Sequence, residues 1–447
     1  MADMRQELEY RIQQTRFIDT HEHLLEETTR LAGPSNSKFQ PCDDFALLFE
    51  HYAQDDLRSA GMSAEALANF FSVSLEPAAK WRLVEPYWQR CQHTGFLQAI
   101  RRSAAVLFDE QEWDAAAVER ITVKMRAQAR PGFYRRVLAT AGVERCHVNS
   151  LEAPLVCATQ YPDLLQQDLS LLPLTTYLNV DLLRRNSGLP VNSLADWHRV
   201  LDWTFDHYHD AIVAVKSQAA YARRLNFARV PASMAAPLFT RHLRGEKLQR
   251  AERKALEDHL LRECVARAQA HGLPIKLHCG YLAGKGPLPL ARIRQNAADL
   301  CPLIDDFPAA KFVLMHIGYP HQDEYVALAK HYPNVWIDLC WAWIVSPSVA
   351  VRFVKESLVT VPSNKLLLFG GDYTLVEPIV GHASIARQGL GQALDELVCD
   401  GWLAPHAALA LIEPLMSGNA SALFTRAEHS RVAGPSEAVQ QRDLAPV

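Results

Sequence analysis

Two histidines near the start of the chain, His21 and His23, have the spacing of a metal-binding pair. They end an apolar run that begins at Phe17. Alternate side chains of a strand point to the same side, so the two imidazoles share one face with Asp19. Such a pair can chelate one metal ion. It can equally be two surface histidines, so the interpretation depends on the rest of the chain.

Three later apolar runs also end in residues that bind metals. Two of them end at His278 and His316, and the third ends at Asp372. Each run is rich in β-forming residues and is followed by loop residues, and a parallel (β/α)8 barrel builds its active site from such strand ends. The runs together predict one metal site with the ligands His21, His23, His278, His316 and Asp372.

The strands and helices that position these residues are predicted to form an α/β fold, a (β/α)8 TIM barrel, because strand-like and helix-like segments alternate along the chain. The eight candidate strands are 17–21, 144–149, 174–179, 211–216, 274–278, 312–316, 335–339 and 366–369. We expect residues 1–23 and 131–425 to form the barrel and the helix-like segment 24–130 to cap its mouth. Residues 426–447 have the composition of a poorly ordered tail.

Composition excludes several classes of partner. The 447 residues are 49% hydrophobic, which suffices for a large core, and the net charge of −4 gives no basis for nucleic-acid binding. The sequence shows no leader peptide and no apolar run long enough for a membrane span, so we expect a cytoplasmic protein. The nine cysteines are scattered and predict neither a disulfide framework nor a zinc ribbon.

These motifs resemble those of the amidohydrolase superfamily of metal-dependent barrel enzymes. Lys216 with the residues after it, the turn 278–280 and the segment 316–320 are most similar to the amidohydrolase-like domain found fused to glutamine-synthetase-like domains. Uronate isomerases are more distantly similar. The resemblance implies that His21, His23 and Asp372 bind metal. The donor set suits one or two Zn²⁺ ions, with Mn²⁺ or Fe²⁺ as alternatives.

The candidate catalytic residues are Asp372, His316 and Lys216. Asp372 can accept a proton from the attacking water and pass it to a leaving group. The resemblance implies that His316 is either a ligand or a group that polarises the substrate carbonyl. It leaves two roles open for Lys216: a carboxylated lysine that bridges two metals, or an unmodified one that pairs with a substrate carboxylate or with Asp338.

The candidate substrate-binding residues are Tyr221, Arg223, Tyr319, Trp88 and Trp341. Tyr221 and Arg223 follow the fourth strand and suit an anionic group, although an exposed loop pair is the alternative. Trp88 belongs to the cap, where its ring could line the pocket or hold the cap together.

An ion pair is predicted beneath the metal. If His278 points into the barrel, so does Lys276, and an unpaired buried ammonium is costly. Asp19 shares that face, which predicts an ion pair between Asp19 and Lys276. In the alternative, Asp19 contacts a ligand histidine.

The function predicted is hydrolysis of a C–N or C–O bond in a small polar, carboxylated molecule by metal-activated water. The alternatives are isomerisation of a uronate, a metal-dependent decarboxylation, and a binding protein without turnover. We expect a small-molecule substrate as the partner, and a homo-oligomer is compatible with the sequence.

Overall fold

The computed structural model describes residues 2–283 and 290–425, and the prediction for the tail 426–447 lies outside the described residues. Eight strands form one sheet in chain order, and every neighbouring pair is parallel. The strands are β1 Phe17–Glu22, β2 Val143–Val148, β3 Leu165–Ser170, β4 Ile212–Ser217, β5 Ile275–Leu277, β6 Phe312–Leu314, β7 Val335–Asp338 and β8 Leu366–Leu367.

Backbone hydrogen bonds between the first and last strands close the sheet into a barrel. The N–H of Thr20 donates to the carbonyl of Phe369 at 2.9 Å. Beyond β8, the N–H of Asp372 donates to the carbonyl of His21, also at 2.9 Å. The predicted (β/α)8 TIM barrel is therefore confirmed, and its closure places the ends of β1 and β8 side by side.

The predicted position of the third strand is wrong. The segment 174–179 is not a strand, because Leu172–Thr175 forms a short helix, and β3 lies earlier at Leu165–Ser170. This strand carries the polar residues Gln167 and Asp168, both buried. Its polar composition hides it from a search for apolar runs. The other seven predicted strands overlap observed ones.

The segment between β1 and β2, most of which is the predicted cap 24–130, is helical. Its helices are α2 Glu27–Ala32, α3 Ala53–Ser59, α4 Ala64–Phe70, α5 Pro77–Cys91, α6 Gly95–Phe108, α7 Ala115–Gln128 and α8 Phe133–Ala141, and α1 Ala2–Gln14 precedes β1. Between β1 and α3, Phe45–Phe49 forms a 3-10 helix, and Asp44 caps its start by accepting from the backbone N–H of Ala46.

The remaining helices surround the barrel or follow it. Between β3 and β5 these are α9 Leu172–Thr175, α10 Val180–Ser187, α11 Leu194–Tyr208, α12 Ala232–Leu243 and α13 Arg250–Ala270. Later in the chain they are α14 Asn296–Asp306, α15 Gln322–His331, α16 Ala342–Val345, α17 Pro347–Thr360, α18 Pro378–Cys399, α19 Pro405–Glu413 and α20 Asn419–Leu423. Within the described ranges, none of the helices has the length and apolar character needed to cross a membrane.

The barrel interior contains a buried ion pair, but not the predicted one. Lys276 pairs with Asp168 of β3 at 2.8 Å, and its ammonium also donates to the carbonyl of Thr20 at 2.7 Å. Asp19 instead accepts from the backbone N–H groups of His21 and Gly371. The predicted pair of Asp19 and Lys276 is therefore wrong, because the misplaced third strand concealed the true partner. The alternative role for Asp19 also changes, since it bonds the backbone of His21 and not its ring.

Candidate metal centre

A carboxylate and two imidazoles meet where β1 and β8 end. Oδ1 of Asp372 lies 3.2 Å from Nε2 of His21 and 3.2 Å from Nε2 of His23. All three residues are buried, and their candidate ligand atoms lie within 4.8 Å of one another. Ligands on a tetrahedral zinc ion with bonds of 2.0–2.1 Å are separated by about 3.3 Å. The spacing therefore fits one shared divalent cation.

The ring of His23 is held in the orientation that metal binding requires. Its Nδ1 lies 2.5 Å from the backbone carbonyl of Asn149. Because a carbonyl can only accept, Nδ1 carries the proton and Nε2 keeps its lone pair. A backbone acceptor behind a histidine ligand is a common feature of metal sites.

The electrostatics of the cluster favour a neutral His21 imidazole beside a charged Asp372 carboxylate. Burial and the nearby charge of Lys216 hold the pKa of His21 well below its ordinary value. Burial alone would raise the pKa of Asp372, but its interactions with His21 and His23 outweigh burial and keep that pKa well below normal. These are the protonation states in which a divalent cation binds.

His316 and His278 form a second pair beside this cluster. Nε2 of His316 lies 3.0 Å from Nδ1 of His278 and 3.9 Å from Oδ2 of Asp372. Nε2 of His278 lies 3.0 Å from the carbonyl of Tyr281, so it carries the proton and Nδ1 holds a lone pair. His278 thus faces His316 directly.

Cys340 joins His316 and Asp372 in a second group whose candidate ligand atoms lie within 4.8 Å. It follows β7 and is fully buried. Burial raises the pKa of its thiol well above the ordinary value in the absence of a cation. The sequence assigned no ligand role to Cys340, and the structure places it within reach of the centre.

The backbone is strained at the strand ends that form this centre. His316 has φ 62°, Ile317 φ 49°, Cys340 φ 46° and Asp372 φ 61°. Left-handed conformations disfavour side chains with a β-carbon and concentrate at functional sites. Three of the four residues bear candidate ligand atoms, so the strain coincides with the positions that turn these groups inward.

The loop after β5 lies close to the loop after β6 because Gly280 has no side chain. Its φ of +75° is left-handed, and a β-carbon there would lie 2.5 Å from the carbonyl carbon of Gly318. Glycine tolerates both conditions. The contact brings the loops that follow His278 and His316 together.

Lys216 lies at the base of the centre. Its Nζ is 3.0 Å from Nε2 of His21 and 2.7 Å from Sδ of Met315, and burial lowers its pKa to about 8. Asp338 is engaged elsewhere, since its carboxylate accepts from the hydroxyl of Thr20 at 2.6 Å. The ion pair offered as an alternative, Lys216 with Asp338, is not formed.

Two carboxyl groups share a buried position behind the histidines. Asp19 and Glu22 interact with each other, and the backbone N–H of Tyr373 donates to Glu22 at 2.6 Å. Burial raises the pKa of Asp19 to about 7 and that of Glu22 well above normal. One proton held between them lets the two carboxyls pack together.

Of the predicted substrate-binding residues, the aromatic ones near the strand ends adjoin the centre. The ring of Tyr221 lies 4.6 Å from that of His278, and the ring of Trp341 lies 5.3 Å from that of His316. Tyr319 lies farther out, 6.2 Å from the ring of Tyr281.

The other two predicted substrate-binding residues are directed elsewhere. Arg223 forms ion pairs with Glu257 and Asp258 of α13, which occupy its guanidinium. Trp88 stacks on Trp113 at 4.6 Å inside the cap. Of the two alternatives given for Trp88, its packing agrees with the one in which its ring holds the predicted cap together.

The cap contributes two residues that the sequence reasoning missed. The hydroxyl of Tyr52 hydrogen-bonds Asp372, and burial raises the pKa of this tyrosine well above normal. The ring of His51 lies 6.1 Å from that of His23. The left-handed φ of 81° at His51 turns the chain just before α3. The adjacent residues His51 and Tyr52 are the signal that the sequence offers. No apolar, strand-like run precedes them, as it does the proposed ligands.

Comparison with known proteins identifies the class to which this fold and site belong. The family model described as amidohydrolase matches residues 191–426, more than half of the chain. The chain belongs to the amidohydrolase family, which confirms the predicted resemblance.

Individual relatives are more distant. Over 124 residues the chain is 36% identical to Protein fluG of Emericella nidulans, a stretch that covers 26% of this chain and 14% of the relative. The match therefore spans a small part of that protein's length, which agrees with the predicted similarity to a domain of larger chains.

The solved structures show the same fold at low identity. A uronate isomerase from Thermotoga maritima has a TM-score of 0.76 and 16% identity, covering 94% of this chain and 97% of that one. A glucuronate isomerase from Caulobacter crescentus has a TM-score of 0.74 and 16% identity, covering 97% and 96%. A proposed metal-dependent hydrolase from Lactobacillus casei has a TM-score of 0.65 and 17% identity, covering 93% and 97%.

Proposed function

We propose that this chain is a metal-dependent hydrolase that cleaves a C–N or C–O bond in a small polar, carboxylated molecule. Amides, lactams and lactones are the substrate classes. The observation that carries the proposal is the position of Asp372, whose carboxylate faces His21 and His23 at 3.2 Å and bonds the hydroxyl of Tyr52. An ionised carboxylate beside a cation site is suited to proton transfer.

The proposed ligands are His21, His23 and Asp372, with His278 and His316 as further candidates. Nitrogen and oxygen donors in this number suit Zn²⁺, and Mn²⁺ or Fe²⁺ are also compatible with them. When bound, such a cation polarises a substrate carbonyl and makes water a stronger acid.

Asp372 is the proposed general base and general acid. It would take a proton from the attacking water and return it to the leaving nitrogen or oxygen. Tyr52 donates a hydrogen bond to this carboxylate and thereby fixes the direction of its oxygens. His316, 3.9 Å from the second oxygen of Asp372, is placed to bind the metal or to contact the substrate carbonyl.

Lys216 is proposed to act within the metal site. An ammonium 3.0 Å from Nε2 of His21 would repel a cation bound to that same nitrogen. A carboxylated or a neutral Lys216 avoids this repulsion. We therefore propose that Lys216 is carboxylated or neutral when metal is bound, and is not an ammonium that meets a substrate carboxylate.

The aromatic residues around the centre form the proposed substrate pocket. Tyr221 lies against His278 and Trp341 against His316, and Tyr319 lies near Tyr281, so these rings would contact the apolar part of a small molecule whose polar groups meet the centre. Arg223 has no part in this proposal, because its charge is already matched by Glu257 and Asp258.

Isomerisation of a uronate is the second candidate function. It is favoured by the likeness to two uronate isomerase folds over nearly the whole of this chain. The same carboxylate would then move a proton between adjacent carbons of the sugar acid instead of activating water. At 16% identity these structures support the fold alone.

One experiment separates the two functions. The purified protein is stripped with a chelator, reloaded with Zn²⁺, Mn²⁺ or Fe²⁺, and assayed against panels of N-acyl amino acids, lactones and hexuronates. We expect turnover of an amide or lactone that depends on added metal. Metal-dependent turnover confined to hexuronates would replace the proposal with the isomerase. Bound metal without turnover of any panel member would favour a binding protein.

A further inference from the structure

A second cluster of metal-binding side chains lies away from the barrel mouth, between α11 and α13. His198 belongs to α11, and His259 and Glu263 belong to α13. Their candidate ligand atoms all lie within 4.8 Å of one another. We propose that these residues bind a second divalent cation, most suitably Zn²⁺, in a site independent of the catalytic centre.

The Nε2 atoms of the two imidazoles face each other. Nε2 of His198 lies 3.0 Å from Nε2 of His259. Nδ1 of His259 lies 2.8 Å from the backbone carbonyl of Val230, so it carries the proton and leaves a lone pair on Nε2. This is the arrangement of a histidine ligand with a backbone acceptor behind it, as for His23 and Asn149.

Glu263 supplies the third ligand through the geometry of the helix. It follows His259 by four residues on α13, and residues four apart lie one turn above each other on the same face. Two histidines and a glutamate are a recognised three-ligand set for zinc, which leaves one position for water. His198 and Glu263 are both half-buried, so the site is reachable from solvent.

The surrounding charges are compatible with a cation. Arg267 donates to Glu263 Oε2 at 2.8 Å and to Asp202 at 2.7 Å, so two carboxylates face its single positive charge. Because Arg267 bonds Oε2, the other oxygen of Glu263, Oε1, is available to a cation.

The position of the cluster indicates a structural role. α11 precedes β4 and α13 precedes β5, and His259 also bonds the segment that leads into α12. A cation there would join two neighbouring outer helices of the barrel and the connection between them. Because it would bind the folded state and not the unfolded one, it would stabilise the protein.

The test uses the full chain with the catalytic centre disabled by H21A and H23A together. Zn²⁺ is titrated calorimetrically into this parent, and its thermal unfolding is followed with and without the metal. We expect one bound Zn²⁺ per chain and a higher Tm with metal. With Co²⁺ in place of Zn²⁺, we expect a visible absorption band from nitrogen ligands.

Two further substitutions in this parent locate the cation. H198A removes a half-buried ligand and should abolish the bound equivalent and the Tm increase, whereas E263Q replaces the carboxylate by an amide and should weaken Zn²⁺ binding and reduce the Tm increase. H207A removes an exposed histidine of the same helix and should retain both. E263Q conserves size, so it remains informative if H198A fails to fold.

The proposal is overturned if the parent binds no Zn²⁺, or if H198A and E263Q bind it as the parent does. In either case the 3.0 Å contact is a plain hydrogen bond between two imidazoles. Neither result bears on hydrolysis at the barrel mouth, because that activity is assayed in the protein with His21 and His23 intact.

Discussion

Lys276 and Asp168 form an ion pair in the barrel interior, with both side chains fully buried and Nζ 2.8 Å from Oδ2. D168N should leave a buried ammonium without its counter-charge. We expect the free energy of unfolding to fall by about 3–5 kcal/mol, measured by urea denaturation. The matched control is D163N, which breaks an exposed pair with Arg135 and should cost less than about 1 kcal/mol. Equal effects of the two substitutions would contradict the assignment.

H21A and H23A should each remove most of the bound metal. Each deletes one of the two imidazoles that face Asp372, and too few donors then remain to hold a cation against buffer. Elemental analysis of the purified proteins measures the loss, and circular dichroism should show an intact barrel. H406A, at an exposed position of α19, serves as control. Full metal content in both site variants would remove His21 and His23 from the proposed ligand set.

D372N should separate metal binding from catalysis. The amide keeps an oxygen that can bind metal, but it cannot take up the proton of the attacking water. We expect a partial loss of metal and a fall in kcat of about 100-fold or more. Steady-state kinetics on the substrate found by screening provides the measurement. Near-native turnover would transfer the proton-transfer role to His316 or to solvent.

Lys216 should respond to bicarbonate if it is carboxylated. Adding bicarbonate with metal should raise the metal content and activity of the native protein, and K216A should lose metal and show no such response. Intact-mass measurement should detect the added CO₂ on the native chain. If K216A keeps the native metal content and only KM increases, Lys216 is an ammonium that contacts a substrate carboxylate.

Y52F should reduce turnover while leaving the fold unchanged. The substitution removes one hydroxyl that bonds the Asp372 carboxylate. A hydrogen bond to a charged group is worth about 1.5–3 kcal/mol, so kcat should fall by about 10-fold or more. Y87F, a half-buried tyrosine of α5, is the control. Equal kinetics of the two variants would place Tyr52 outside the catalytic machinery.

Much of the site's framework could be predicted from the sequence because its residues sit at strand ends. Each apolar, β-rich run that ends at His278, His316 or Asp372 predicts a strand and also a possible metal ligand at the end of that strand. The barrel class and the family are confirmed. The roles assigned to these residues remain predictions that the experiments above address.

The errors arose where tertiary contacts outweigh local pattern. β3 contains Gln167 and Asp168, which are tolerated in the interior because Lys276, more than a hundred residues later, neutralises the carboxylate. Arg223, a predicted substrate-binding residue, forms ion pairs with Glu257 and Asp258 of α13 that the sequence did not reveal. In each case a distant partner satisfies a charge, and no local periodicity reveals that partner.

The positions of Tyr52 and His51 could not be predicted from the sequence for a different reason. They precede α3 in a connection without regular periodicity, and their approach to Asp372 and His23 depends on how the cap folds over the strand ends. A single sequence predicts a helical segment after β1. It does not show which of its residues point down toward the barrel.

The hydrogen bond from Thr20 to Phe369 joins residues 349 positions apart. It lies beside the proposed ligands from the first and the last strand of the barrel. The histidine pair of β1 is synthesised early, yet its carboxylate partner arrives only when the last strand docks. A folding intermediate that lacks β8 would therefore have little affinity for the cation. Metal should therefore bind late in folding, after the last strand has docked on the first. The bound cation would then stabilise the contact between these two strands.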